Sequence, residues 1–204
     1  MKKKLINDKI LLQDFSKYRV QNSIERDIFV CVHGSRDTCC ASFGSPVYQY
    51  LRNELIPKFG SLRIWQSSHM GGHKFSPNMI DLPSGRNWVR LTEKEAEVVV
   101  STKGSTDFLT NCYRGNLAFK NQFEQIVERE LFSLYGWEWI NKSVNFSSLE
   151  NVNDKTFKLG AVVNSDTDTK DFSFTITETH NIDSIDCKTG QVKESVPQYS
   201  IVES

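Results

Sequence analysis

Two short stretches hold the residues able to do chemistry. In Cys31-Val-His-Gly-Ser-Arg-Asp-Thr-Cys39-Cys40, eight residues separate Cys31 from Cys40, and in Ser68-His69-Met-Gly-Gly-His73, three separate His69 from His73. Two thiolates and two imidazoles at these spacings make a four-ligand set for an iron–sulfur cluster or a zinc ion, both of which take sulfur and imidazole nitrogen. Three of the five cysteines and three of the four histidines lie in these stretches. The rest of the chain must bring them together.

The elements that would do so can be read from periodicity and turn residues. Asp27-Ile-Phe-Val-Cys-Val32 is an apolar, β-branched run that suits a buried strand, followed by a loop over His33–Gly44. Ser45-Pro46 reads as an N-cap and first-turn proline, opening a helix to about Leu55 with Val47, Tyr50, Leu51 and Leu55 on one face. Leu62–Gln66 is a second strand and ends where the histidine stretch begins. Met79–Leu82, the turn Pro83-Ser-Gly-Arg, and Trp88–Leu91 read as a hairpin. Thr92 with Glu95 is a capping-box pattern that starts a helix. A further helix is expected from about Asn116 to Tyr135, with Leu117, Phe119, Phe123, Ile126, Val127, Leu131 and Leu134 as its core stripe.

Strand, helix, strand, hairpin, helix is the order of a thioredoxin-like α/β fold, a central mixed sheet flanked by helices. Residues 1–26 read as a polar N-terminal segment with a short helix near Leu11–Tyr18, and residues 27–140 as the domain proper. Residues 141–204, rich in Ser, Thr, Asn and Asp, alternate at Phe157–Val163 and Phe172–Thr177, which predicts a β-rich C-terminal extension packed on the same domain.

Composition narrows the classes. With 38% hydrophobic residues, thirteen Phe and four Trp, the chain can build a core. Twenty-five basic residues balance twenty-five acidic ones, which removes the general electrostatic case for nucleic acid or an anionic membrane as partner. The Met1-Lys-Lys-Lys start has no apolar run of signal-peptide type behind it, and no stretch is long enough for membrane insertion. Five cysteines, two of them adjacent, suit a reducing cytoplasmic compartment better than a disulfide framework.

Cys31-x-His33-Gly34-Ser35-Arg36-Asp37-x-x-Cys40, Ser68-His69-x-Gly71-Gly72-His73-x-Phe75, Leu82-Pro83-x-Gly85, Trp88 and Tyr113-Arg114-Gly115, in that order, resemble the sucrase/ferredoxin-like family, a branch of the thioredoxin-like [2Fe–2S] ferredoxins. The resemblance covers roughly residues 25–135. It implies a thioredoxin-like fold carrying a [2Fe–2S] cluster, in a branch whose second ligand pair is His-x3-His. Cys31, Cys40, His69 and His73 match that pattern one by one. Cys39 sits where other members need no ligand, residues 141–204 lie outside the resemblance, and no separate feature supports sugar hydrolysis.

On this reading the protein is a one-electron carrier between a redox donor and acceptor rather than a catalyst, with electron transfer coupled to protons through the free imidazole nitrogens. Gly71 and Gly72 give the backbone freedom to fold around a cofactor. His33 reads as a hydrogen-bonding or turn residue beside the ligands, and Arg36 and Asp37 as holding the loop, tuning the cluster or docking a partner. Arg114 is expected near the site, with Gly115 explained as a helix cap. Cys112 and Cys187 read as structural and His180 as solvated. Two rivals remain: a structural Cys2His2 zinc site, and a thiol-redox protein using Cys39 or Cys40, which lacks the Cys-x-x-Cys expected of that chemistry. Neither a Ser/His/Asp motif nor a phosphate-binding glycine loop is present.

Overall fold

The apolar run around Ile28 and Val30 becomes β1 (Arg26–Cys31), the strand on which the first sheet is built. In this computed structural model residues 26–35, 38–185 and 189–204 are described. The expected helix at Leu11–Tyr18, the polar segment up to residue 25, and Arg36, Asp37 and Cys187 lie outside them.

Strand β1 pairs in parallel with β2 (Leu62–Ser67) and antiparallel with β3 (Asn78–Leu82). The strands β4 (Arg86–Val89) and β5 (Tyr113–Asn116) complete the order β2-β1-β3-β4-β5. With α1 (Thr38–Tyr50), α2 (Glu93–Ser101), the single turn α3 (Leu109–Cys112) and α4 (Gln122–Tyr135), this is the expected thioredoxin-like α/β arrangement. At the start of β1, Arg26 makes a bidentate pair with Asp81 of β3 (2.9 and 2.7 Å). The same guanidinium donates to the carbonyls of Val99 and Val100 at the end of α2, satisfying acceptors that a helix terminus leaves open. The capping box of Thr92 and Glu95 is present at the start of α2.

Three boundaries differ from those read in the sequence. Helix α1 starts at Thr38, seven residues before Ser45, so the expected loop His33–Gly44 is half helix and Pro46 lies inside the helix, which then widens into a π turn at Leu51–Leu55. Gly44 is a packing residue and not a helix boundary. A Cβ there would collide with the main-chain carbonyl of Cys31. Cys40, Gly44, Val47, Leu51 and Leu55 recur at helical spacing and are all buried, so one stripe of α1 seats against β1. Second, α4 begins at Gln122, capped by the Asn121 side chain, because Tyr113–Asn116 pairs with β4 instead. Gly115 therefore stands in a strand, at φ +99° against Gln125, and caps no helix. Leu117 and Leu134, expected in the core stripe, are 50% and 62% exposed. Third, β4 ends at Val89, two residues before Leu91.

The C-terminal region forms a second, antiparallel sheet from β6 (Ser143–Phe146), β7 (Glu150–Asn153), β8 (Thr156–Asn164), β9 (Thr169–Ile185) and β10 (Val192–Glu203), ordered β10-β9-β8-β6 with β7 also on β8. The predicted alternation holds: Leu159, Ala161, Val163, Phe174 and Ile176 are buried in a core continuous with the first sheet's. Helix α4 joins the two. Its Phe123 ring lies 4.5 Å from Phe157 and 5.4 Å from Tyr199, while Phe132 meets Trp88 of β4 at 6.0 Å. Between them, the buried Glu128 carboxylate accepts from Tyr113 Oη, Asn116 N and Trp139 Nε1. No helix among the described residues is long and apolar enough to cross a membrane.

The tight contact at position 44 is testable. Gly44→Ala should lose about 1–3 kcal/mol in urea denaturation, because the obstacle is backbone and cannot rotate away. Gly60→Ala, where nothing lies within 4 Å of the added carbon, should change stability far less.

Candidate metal centre

Parallel pairing of β1 and β2 makes both strands end on one edge of the sheet, with Cys31 opposite Ser67. The amide of Val32 donates to the Ser67 carbonyl at 3.3 Å, so the chain leaves both strands side by side. Cys31 is the last residue of β1, and His69 follows β2 by two residues. The seating of α1 brings its first turn to the same edge, carrying Cys39 and Cys40. Both Cys31 and Cys40 are fully buried.

The result is a compact donor group. Cys31 Sγ, Cys40 Sγ and a ring nitrogen of His69 all lie within 4.8 Å of one another. Cys40 Sγ and His69 Nδ1 are 3.9 Å apart. Three of the four ligands expected from the sequence are therefore together. His73, the fourth, opens a short 3-10 turn (His73–Phe75), and its ring centroid is 6.2 Å from that of His69. His33 and Cys39 are half-buried neighbours that do not enter the close group. Cys112 lies elsewhere in the core, its Sγ 3.8 Å from the Arg90 carbonyl, and His180 is exposed as expected, though it stands in strand β9 and not in the loop its polar surroundings suggest.

The histidine loop needs support because Gly71 and Gly72 both sit at positive φ (+89° and +67°). Asn78 donates to the Gly72 carbonyl at 3.0 Å, and the Phe75 amide does so at 2.8 Å. Ser76 Oγ donates to the carbonyl of Cys39 at 3.0 Å, linking the histidine turn to the first turn of α1. The guanidinium of Arg114 packs on Gly72, where a Cβ would strike it, and lies 5.1 Å from the Phe75 ring centre. Ser76, Asn78 and Lys74 were not singled out in the sequence. The signal for Asn78 is faint: a polar residue directly before the apolar pair Met79-Ile80, in a strand that also carries Asp81.

Chemically, two buried thiols beside an imidazole suit a metal that prefers sulfur and nitrogen. Cys39 and Cys40 stand in the first turn of α1, where main-chain N–H groups left open by the helix terminus favour negative charge.

The sucrase/ferredoxin-like family model matches residues 2–115. No curated protein matches. Among solved structures, a thioredoxin-like [2Fe–2S] ferredoxin from Aquifex aeolicus is 14% identical, the match covering 48% of this chain and 96% of that one with a TM-score of 0.40. The wild-type thioredoxin-like [2Fe–2S] ferredoxin of the same organism matches at 17% identity, over 39% of this chain and 85% of that one, with a TM-score of 0.35.

Burial pushes the Cys112 thiol up to about 11, so at pH 8 only about one molecule in a thousand carries it as thiolate. Iodoacetamide at that pH should leave Cys112 unmodified in the native protein and alkylate it after denaturation, as read by peptide mass spectrometry. Rapid native labelling would show that the thiol is activated.

Proposed function

This chain belongs to the sucrase/ferredoxin-like family, and from that premise we propose that it is a [2Fe–2S] protein of ferredoxin type, working as a one-electron carrier. The observation that supports this most is the convergence of Cys31, Cys40 and His69 within 4.8 Å at the edge where β1 and β2 end. Cys31 and Cys40 would hold one iron as thiolates, and His69 with His73 would hold the other as neutral imidazoles. The donor set fits: the sulfurs are buried away from water, and the His69 and His73 rings stand 6.2 Å apart on one glycine loop. When bound, such a centre supplies reversible one-electron chemistry, at about −150 to +300 mV where histidines replace cysteines on one iron in Rieske proteins, against about −400 mV in plant-type ferredoxins. Cys31 and Cys40 contribute charge and exclude water, while Ser76, Asn78 and Arg114 hold the histidine backbone. The donor and acceptor would be redox proteins, and a reducing compartment such as the cytoplasm would keep the thiols available. Residues 27–140 would form the metal-carrying unit and 141–204 a β-rich adjunct to it.

One observation favours a second reading, a single zinc ion. Donors at about 2.0–2.3 Å around one tetrahedral ion stand roughly 3.3–3.8 Å apart, a sulfur and a nitrogen about 3.5 Å, and Cys40 Sγ to His69 Nδ1, at 3.9 Å, is close to that.

Protein purified without oxygen separates the two. About two irons and two acid-labile sulfides per chain, with broad visible absorption, are expected; a colourless protein with one zinc would replace the first reading by the second. Cys31→Ser and Cys40→Ser should each lose most of the iron, whereas Cys39→Ser should keep it. The reverse pattern across the vicinal pair would move the ligand from Cys40 to Cys39.

A further inference from the structure

Beside the histidine turn, and outside the ligand group, lies a cavity of about 640 Å³. That is within the range of small-molecule sites. The β9–β10 hairpin forms its outer wall, held against the histidine turn by Lys74, which donates to Ser184 Oγ and pairs with Glu194, both at 2.8 Å. Ile182, Ile185 and Val196 of the hairpin line it together with Phe75 and Val89.

Four cations line this partly apolar space: Lys74, Arg90, Arg114 and Arg129. Lys74 is paired with Glu194, and Arg129 with Glu130 at 3.3 Å. Arg90 and Arg114 form no ion pair among the described residues, and their guanidinium groups lie against the same ring, 4.9 and 5.1 Å from the centre of Phe75. Asp183 is the single carboxylate among the lining residues described. Arg90 is also held in a left-handed backbone conformation (φ +54°), its amide donating toward the carbonyls of Phe75 (3.0 Å) and Pro77 (2.9 Å). Such a conformation is unfavourable for a non-glycine residue and persists only where the surroundings fix it.

We propose that this cavity binds a small organic anion: a phosphate or carboxylate group held by Arg90 and Arg114, on an apolar body lying against Phe75, Ile182 and Val196. Two forked guanidinium groups without carboxylate partners are suited to bidentate contact with an oxyanion. The hairpin wall supplies the apolar contact that an inorganic ion would not use. Binding here needs no metal, so it stands or falls separately from the ferredoxin reading.

The probes are phenyl phosphate, benzoate and inorganic phosphate, titrated into the full chain as purified and followed by calorimetry. Phenyl phosphate or benzoate should bind saturably, and at least about tenfold more tightly than inorganic phosphate. Arg90→Gln should weaken that binding by about tenfold or more, the scale of a lost charged hydrogen bond. Because this variant disturbs a strained position, a second readout uses the wild type. Phenylglyoxal modification of Arg90, followed by mass spectrometry, should slow several-fold when the better aryl anion is present. Saturable binding of neither aryl anion, binding unchanged in a folded Arg90→Gln protein, or an unprotected Arg90 would each overturn the site. Equal binding of inorganic phosphate would remove the apolar half of the proposal.

Discussion

Helix α1 crosses β1 so closely that position 44 has room for a hydrogen and nothing larger. Much of the candidate site depends on that approach. Cys40 lies four residues before Gly44, on the same helical face, so seating Gly44 on the Cys31 carbonyl turns Cys40 toward the end of the strand. Any residue with a side chain at 44 would lift the helix and separate the two thiols. The contact is maintained by Val47, Leu51 and Leu55, which continue the same buried stripe. Burying three such side chains is worth about 1.5–3 kcal/mol each before chain entropy is counted. Cys40 is therefore positioned by packing on the far part of the helix, not by the loop that precedes it.

A second constraint is the carboxylate of Glu128, buried in helix α4 with Tyr113 Oη, Asn116 N and Trp139 Nε1 donating to it. Desolvation pushes its pKa up, while those donors and the nearby Arg86 act in the opposite direction. A buried carboxylate persists only where such partners surround it. Here the partners come from β5, its end, and the 3-10 turn at Gly136–Asn141, so one side chain fixes how α4 sits between the two sheets. Phe123 can then reach Phe157 and Tyr199 of the second sheet, and that sheet's long hairpin stands beside the histidine turn.

Local physics was legible in the chain and long-range geometry was not. The strand read at Asp27–Val32, the box at Thr92 and Glu95, and the alternation at Phe157–Val163 are period and capping signals, and each is present, the strand one residue earlier at Arg26–Cys31. Gly44-Ser45-Pro46 misled because glycine and proline usually punctuate helices. In this fold the glycine answers a contact with a strand that no local pattern reports. Asn116 to Tyr135 looked like one helix because apolar residues at helical spacing continue through Leu117 and Phe119. Pairing of β5 with β4 took Asn116 away from it, the helix starts only at Gln122, and Phe119 packs on Phe146 instead. The donor types and spacings of Cys31, Cys40, His69 and His73, the candidate ligands, could be read directly. The bond from Lys74 to Glu194, across 120 residues of sequence, could not.

That distant bond explains what a β-rich adjunct can do for a site it does not form. A loop containing Gly71 and Gly72 at positive φ gains the conformations that a tight turn around a ligand needs, but it loses more entropy on ordering than any other pair of residues would. Local hydrogen bonds, at about 0.5–1.5 kcal/mol each, offset part of that loss. Asn78 and Ser76 supply two from the strand and turn that follow. Arg114 adds packing from β5, and Lys74 ties the residue after His73 to β9 and β10. Four anchors drawn from separate parts of the fold restrain one short loop. An exposed ion pair alone contributes little, so the value of Lys74 lies in its second contact with the buried Ser184. A hairpin that moved would therefore release the histidine loop on one side, while the cysteine side, held by α1 on β1, would stay in place.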